Sequence, residues 1–167
     1  MEPVISVIGL GNILMMDEGV GVHVVNALRE RYAFYPEVDI IDGGTSGLDL
    51  LPYIAGRDKV LIIDAVDFGK EPCSVGLIEN DGIPAALQSK VSLHHLGLSD
   101  VLSVALLQDA APKEICLIGI QPKTIDLGLD MTRGIWDNIE TVIDHAIQKL
   151  QDWNVQCVLQ SRQKSSK

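Results

Sequence analysis

Residues 4–25 read VISVIGLGNILMMDEGVGVHVV, and this stretch decides the fold. Residues 4–10 are apolar or small throughout, as a strand buried on both faces should be. A Gly9-Leu10-Gly11-Asn12 turn follows, then a short loop that ends in the acidic pair Asp17-Glu18. From Gly19 to Tyr32 the apolar residues Val20, Val24, Leu28 and Tyr32 recur at helical spacing. Strand, tight loop and helix make the first half of a βαβ unit. In open parallel sheets, ligands bind in the crevice beyond the carboxyl ends of the strands. The loop carrying Glu18 opens on that crevice, so the rest of the chain can be asked what it brings to meet this carboxylate.

Working outward, a second strand spans 38–41 and ends at Asp42. The turn DGGTSG (42–47) follows, in which glycines supply positive φ and Thr45 or Ser46 can cap what comes next. A short helix (48–55) leads into KVLIIDA (59–65), the most strand-like run, with Asp64 at its carboxyl end. Only residues 66–72 separate it from a strand at 73–79. A parallel crossover takes a dozen residues or more, so this pair is expected to be antiparallel. Residues 80–93 show no clear period and read as a loop. A helix begins at His94, with Leu98, Val101, Leu102, Ala105 and Leu106 on one face. EICLIGI (114–120) is a further buried strand. The last helix, 133–150, has Thr132 or Asp130 as its N-cap and turns Ile135, Ile139, Val142, Ile143, Ala146 and Leu150 to the core. The order βαβαββαβα predicts an α/β fold: a five-stranded, mostly parallel sheet with one antiparallel strand and helices on both faces. A single domain over 1–159 is expected, with 160–167 a disordered tail.

Composition narrows the class. Over 167 residues the net charge is −10 and the pI about 4.6, which leaves no basic footprint for nucleic acid or anionic lipid. The uncharged run 3–16 is too short and too broken by glycine to span a bilayer, which takes ~20 residues. Glu2 and Pro3 stand where a signal peptide would carry positive charge. Cys73, Cys116 and Cys157 lack metal-ligand spacing and read as buried thiols in a reducing cytoplasm. A soluble cytoplasmic protein is expected, and, with no long exposed apolar stripe, a monomer.

Three polar groups stand where this topology would gather them: Glu18 after the first strand, Asp64 at the end of the third, and His94 at the start of the following helix. Two carboxylates and an imidazole suit a borderline divalent cation and leave positions open for substrate or water. Without metal the same groups can act as acid, base and orienting partner in hydrolysis. Each also has a plainer reading. Glu18 fits a helix N-terminus, where the dipole favours its charge. Asp64 follows Val60-Leu61-Ile62-Ile63, so it must be paired, capped or functional. His94 and His95 can both be surface residues, and Asp17 reads as a helix cap. Gly9-Leu10-Gly11 suggests a dinucleotide fingerprint, but Leu14 occupies the place of the third glycine, and Asp42, the candidate ribose acid, lies further on than usual and is followed by more turn glycines. Trp136 and Trp153 read as packing or partner contacts.

The segments GLGNILMMDEGVGVHVV (9–25), DGGTSGLDLL (42–51), LIIDAVD (61–67), SLHHLGLSDVL (92–102) and LIGIQP (117–122) together resemble the [NiFe]-hydrogenase maturation endopeptidases, over about residues 4–150. The resemblance implies a three-layer α/β/α sandwich with a five-stranded twisted sheet. It also implies a hydrolase, an endopeptidase that removes a C-terminal peptide from the hydrogenase large-subunit precursor after nickel insertion. Carried over by motif, the family's metal-binding trio falls on Glu18, Asp64 and His94. His94 is preferred to His95 because the family's histidine stands two residues before the Leu-Gly-Leu at 96–98. Nickel, on this reading, arrives with the substrate and is bound transiently. Three rivals make different predictions. A non-catalytic escort would bind nickel-loaded large subunit without changing its mass. A metallo-aminopeptidase would hold metal tightly in isolation, yet the chain shows no H-E-x-x-H. A nucleotide-dependent oxidoreductase would bind NAD(P), which is not expected here.

Overall fold

The computed structural model describes residues 1–84 and 93–161, the side chains of residues 93–96 excepted. Seven strands are described: β1 (Ile5–Leu10), β2 (Tyr32–Tyr35), β3 (Val38–Gly44), β4 (Lys59–Ala65), β5 (Val75–Glu79), β6 (Glu114–Ile120) and β7 (Gln156–Leu159). The helices with both ends described are α1 (Val20–Arg31), α2 (Leu93–Leu107) and α3 (Arg133–Asp152), with a further helical stretch at 82–84 and 3-10 turns at Met16–Gly19 and Leu48–Tyr53. The central sheet has the order β3-β1-β4-β6-β5. Neighbours among the first four are parallel, and β5 runs antiparallel to β6.

Side chains alternate across each strand, and the two rows enter different cores. Ile5, Val7, Leu61, Ile63, Cys116 and Ile118 pack into the core that also holds Val24 and Leu28 of α1 and Ile139 and Ile143 of α3. Ile8, Leu10, Val60, Ile62 and Leu117 enter the second core, with Leu50 of the Leu48–Tyr53 turn, Ile54 just after it, and Leu98 and Val101 of α2. Helices thus cover both faces, which is why these strands read as unbroken apolar runs. The expected α/β/α sandwich stands. Among the described residues no helix is long and apolar enough to cross a membrane.

The expected antiparallel partner of the fourth strand is corrected. β5 does reverse direction, but it pairs with β6, not β4. After Ala65 the chain steps over the carboxyl end of β6: the Val66 amide donates to the Ile120 carbonyl at 2.9 Å, and the Cys73 amide to the Gln121 carbonyl at 2.9 Å. The slot beside β4 is left for β6, which reaches it through the α2 crossover. The link was too short for a parallel crossover yet long enough to clear one strand.

Two elements were not foreseen. β2 and β7 pair antiparallel as a separate ribbon, and the Gln160 amide donates to the Arg31 carbonyl at 2.8 Å. Each strand has four residues and mixed exposure, and β2 continues directly from α1, so the helical period conceals it. The loop read at 80–93 is helical at 82–84 and gives way to α2 at Leu93; its residues 85–92 lie outside the described residues, as do residues 162–167 of the expected tail.

Helix α1 lies unusually close to the sheet. A Cβ on Gly21 would stand 2.1 Å from the Ile63 carbonyl oxygen and 2.4 Å from that of Leu10. One on Gly9 would stand 2.3 Å from the Gly21 carbonyl oxygen. Only glycine permits this approach. It sets the Met16–Gly19 turn against β4.

Candidate active site at the carboxyl edge of the sheet

From β1 the chain builds outward on one side to β3, then crosses to β4 on the other. The crevice between the carboxyl ends of β1 and β4 is therefore the topological switch point, the expected place for a ligand in such sheets. Glu18 lies in the half-buried turn that closes the loop after β1. Asp64 is the next-to-last residue of β4 and only 1% exposed. Its row on the strand is that of Val60 and Ile62, so it faces the α2 layer.

His94 and His95 fall in the first turn of α2, and their side chains lie outside the described residues. The backbone of that turn is nevertheless anchored close by: a Cβ on Gly97 would stand 3.1 Å from Gly47 Cα, at the end of the loop after β3. The three elements carrying Glu18, Asp64 and His94 thus converge on one edge. Among the described residues no three His, Cys, Asp or Glu side chains cluster as a metal site, and the predicted trio includes a side chain outside that description.

The Gly-x-Gly at the end of β1 has a structural use that needs no phosphate. Gly11 has φ +126°, and a Cβ there would stand 1.7 Å from the Glu18 carbonyl oxygen. Gly9 admits α1, and Gly11 admits the backbone of Glu18.

Asp17 does not cap its own helix. Its carboxylate is wholly buried and accepts from the amides of Lys123 (2.9 Å), Thr124 (3.2 Å) and Thr132 (2.6 Å), and from the Thr132 hydroxyl (2.9 Å). Thr132 is the N-cap of α3 as expected, but its hydroxyl serves Asp17 and makes no cap bond to the helix. Gln121 is the counterpart on the β6 side. Its Oε1 accepts from the Phe68 and Lys70 amides at 2.7 and 3.2 Å, and its Nε2 donates to Asp67 at 3.2 Å. These two buried polar side chains hold the loops that follow β6 and β4. A glutamine placed directly after EICLIGI was the one sequence sign of the second.

Beside the switch point a cleft of about 290 Å³ is lined by Asn12, Ile13, Leu14, Asp42, Gly44 and Thr45, among others. A larger hollow of about 350 Å³ lies against the β2–β3 connection near Arg29, Phe34 and Asp39, and holds none of the predicted residues. The rim of the edge is apolar. Ile13, Leu14, Ile125, Leu127 and Leu129 are 45, 51, 50, 84 and 69% exposed. Their two loops are joined by backbone bonds from Met16 N to Gly128 O (2.9 Å) and from Gly128 N to Leu14 O (2.8 Å). Exposed aliphatic residues grouped in this way mark a contact surface.

The opposite edge is structural. Glu114, first in β6, accepts from the Trp153 indole at 2.5 Å and pairs with Lys59 at 3.3 Å and Lys149 at 3.4 Å. Burial alone would raise its pKa, but the indole and Lys59 outweigh burial and hold it below its ordinary value. Trp153 is buried, while Trp136 is 46% exposed and its ring lies 5.2 Å from that of His23. Burial pushes the Cys116 thiol up to about 12, an inert core group.

The family model for hydrogenase maturation proteases matches residues 22–150. The chain is 42% identical over 153 residues to the hydrogenase expression/formation protein HupD of Bradyrhizobium diazoefficiens, covering 90% of this chain and 80% of that protein. It is 36% identical to the hydrogenase 2 maturation protease of Escherichia coli, covering 92% and 94%. The solved structure of the hydrogenase maturating endopeptidase HybD from E. coli superimposes with a TM-score of 0.90 at 34% identity, covering 94% of this chain and 98% of that one. With a family model matched over most of its length and such relatives along nearly all of it, this protein belongs to the hydrogenase maturation proteases, a family of endopeptidases.

Proposed function

We propose that this endopeptidase removes the C-terminal extension of a [NiFe]-hydrogenase large-subunit precursor after nickel insertion, and that Glu18, Asp64 and His94 recognise the nickel the substrate carries. The observation that supports this reading is the convergence of their three elements at the carboxyl edge of the sheet. Two carboxylates and an imidazole are a suitable donor set for a borderline divalent ion. Such a set can complete the coordination of an ion already held by the substrate's cysteines, so precursor without metal loses the contacts that dock it. The substrate's ion supplies Lewis acidity, and either carboxylate can accept the proton of the attacking water. The apolar rim of Leu14, Leu127 and Leu129 beside the cleft suits a polypeptide substrate.

Intact-mass measurement tests the proposal. The protein is mixed with large-subunit precursor, once nickel-loaded and once nickel-free. Loss of a C-terminal peptide from the loaded form alone is the expected result. A stable complex with no change of mass would mark an escort that binds without cutting. Asp64→Ala and His94→Ala should fold normally and fail to process, and undiminished cleavage by both would remove the trio from the mechanism.

A further inference from the structure

Asp17 carries a dense set of long-range hydrogen bonds at this edge, and nothing in the proposed chemistry uses it. Its two oxygens accept four hydrogen bonds, three from backbone amides and one from a hydroxyl, and all four donors belong to residues 123, 124 and 132. Such a set fills the acceptor capacity of a carboxylate and leaves it one orientation. The backbone around it is held in the same way. Met16 has φ +46°, a left-handed conformation that a residue with a side chain keeps only where its surroundings impose it. Here the Met16 amide donates to the Gly128 carbonyl at 2.9 Å and the Asp17 amide to the Thr124 carbonyl at 3.3 Å. The turn is strained, clamped from one segment, and carries Glu18 next to Asp17.

We propose that Asp17 is a positioning residue for the cleavage reaction: by tying the Met16–Gly19 turn to residues 123, 124 and 132, it sets where the Glu18 carboxylate stands relative to Asp64. The inference rests on the role proposed above for Glu18. The carboxylate contributes stability, because without it the buried amides of Lys123, Thr124 and Thr132 would lose their acceptor. It also contributes direction. Adjacent Cα atoms are about 3.8 Å apart across one rigid peptide unit, so a shift of Asp17 reaches Glu18 with only the dihedrals on either side to absorb it. A misplacement of about 1 Å at a reacting group can cost on the order of 100-fold in rate.

Asp17→Asn and Thr132→Val test this in the full chain. Asparagine keeps the shape but turns an NH2 group towards donors, whereas valine at 132 removes only the hydroxyl donor. For each variant, kcat and KM are measured on nickel-loaded precursor, and amide exchange is followed in peptides covering 12–20 and 121–132. In Asp17→Asn, kcat should fall at least tenfold with KM within threefold, and exchange should quicken in both peptides. Thr132→Val should shift the same quantities less. A purely structural role would lower the melting temperature and leave kcat per folded molecule unchanged. That result overturns the proposal, as does faster exchange at 121–132 with none at 12–20. If Asp17→Asn does not fold, unchanged kcat in Thr132→Val overturns it. Failure of the wild-type chain to cut precursor would refute the proposed function instead, while the exchange experiment would still judge the coupling.

Discussion

Gly21→Ala should separate α1 from the sheet and carry the Glu18 turn with it. The added Cβ would stand 2.1 Å from the Ile63 carbonyl oxygen, on the peptide bond that leads into Asp64, and 2.4 Å from the Leu10 carbonyl oxygen. Ordinary C···O contact begins near about 3.3 Å, so the helix must withdraw by about 1 Å. Val20, Val24, Val25 and Leu28 of α1 are buried at 0–1% exposure, and each such side chain contributes about 2 kcal/mol by burial. A gap of that width forfeits roughly a quarter to a half of the dispersion well, or about 2–4 kcal/mol over the four. The better helix propensity of alanine returns about 1 kcal/mol. The net loss is about 1–3 kcal/mol, in line with overpacking elsewhere, and the melting temperature should drop by about 3–10 °C for a domain of this size. Urea and thermal unfolding followed by circular dichroism measure the loss, and kcat on precursor reports the displaced turn. A Gly21→Ala protein as stable as wild type would show that propensity prevails and that the close approach does not govern α1.

Other outcomes follow from local contacts. The Ser6 hydroxyl is buried with no hydrogen-bond partner among the described residues, so Ser6→Ala should raise the urea midpoint by an amount worth about 1 kcal/mol; a lower midpoint would refute this. Glu114 titrates below its ordinary value of 4.5 when folded. Its contribution is present above that pH and lost as the pH falls through the folded value. Glu114→Gln should therefore flatten the fall of stability with acid below about pH 4.5, and an unchanged slope would count against the network. Leu127→Ser and Leu129→Ser should each raise KM for precursor about tenfold with kcat unchanged, as expected for removal of a side chain that contributes binding alone. Equal KM values would show that the rim does not touch substrate.

What the sequence disclosed depended on whether a segment's environment is local. KVLIIDA and EICLIGI became β4 and β6 at the boundaries read from the chain, because burial on both faces writes itself as an unbroken apolar run. The 48–55 segment is a 3-10 turn rather than an α-helix, and Pro52 within it lacks the amide a longer helix needs. β2 and β7 are half-exposed, so neither carries a period. The partner of β5 depended on a third strand that appears only later in the chain. In the site, topology alone brought the elements of Glu18 and Asp64 to one edge. The roles of Asp17 and Gln121 were not legible, since their partners are mostly backbone groups 51 to 115 residues away. Gly9 and Gly11 were visible, but backbone approach and phosphate binding require the same residue.

The separation of 106 to 115 residues between Asp17 and its donors has a consequence for the order in which the molecule forms. β1 leaves the ribosome before the strands it pairs with, yet it occupies an interior position in the sheet and needs β3 and β4 on its two sides. Its loop then waits for residues 123, 124 and 132 before the clamp on Asp17 can close. Contacts so distant in sequence form late, because loop-closure entropy opposes them until most of the chain has condensed. The edge that carries Glu18 is therefore among the last parts to take shape. On the role proposed for Glu18, a nascent or partly folded chain lacks a formed site until the domain is nearly whole.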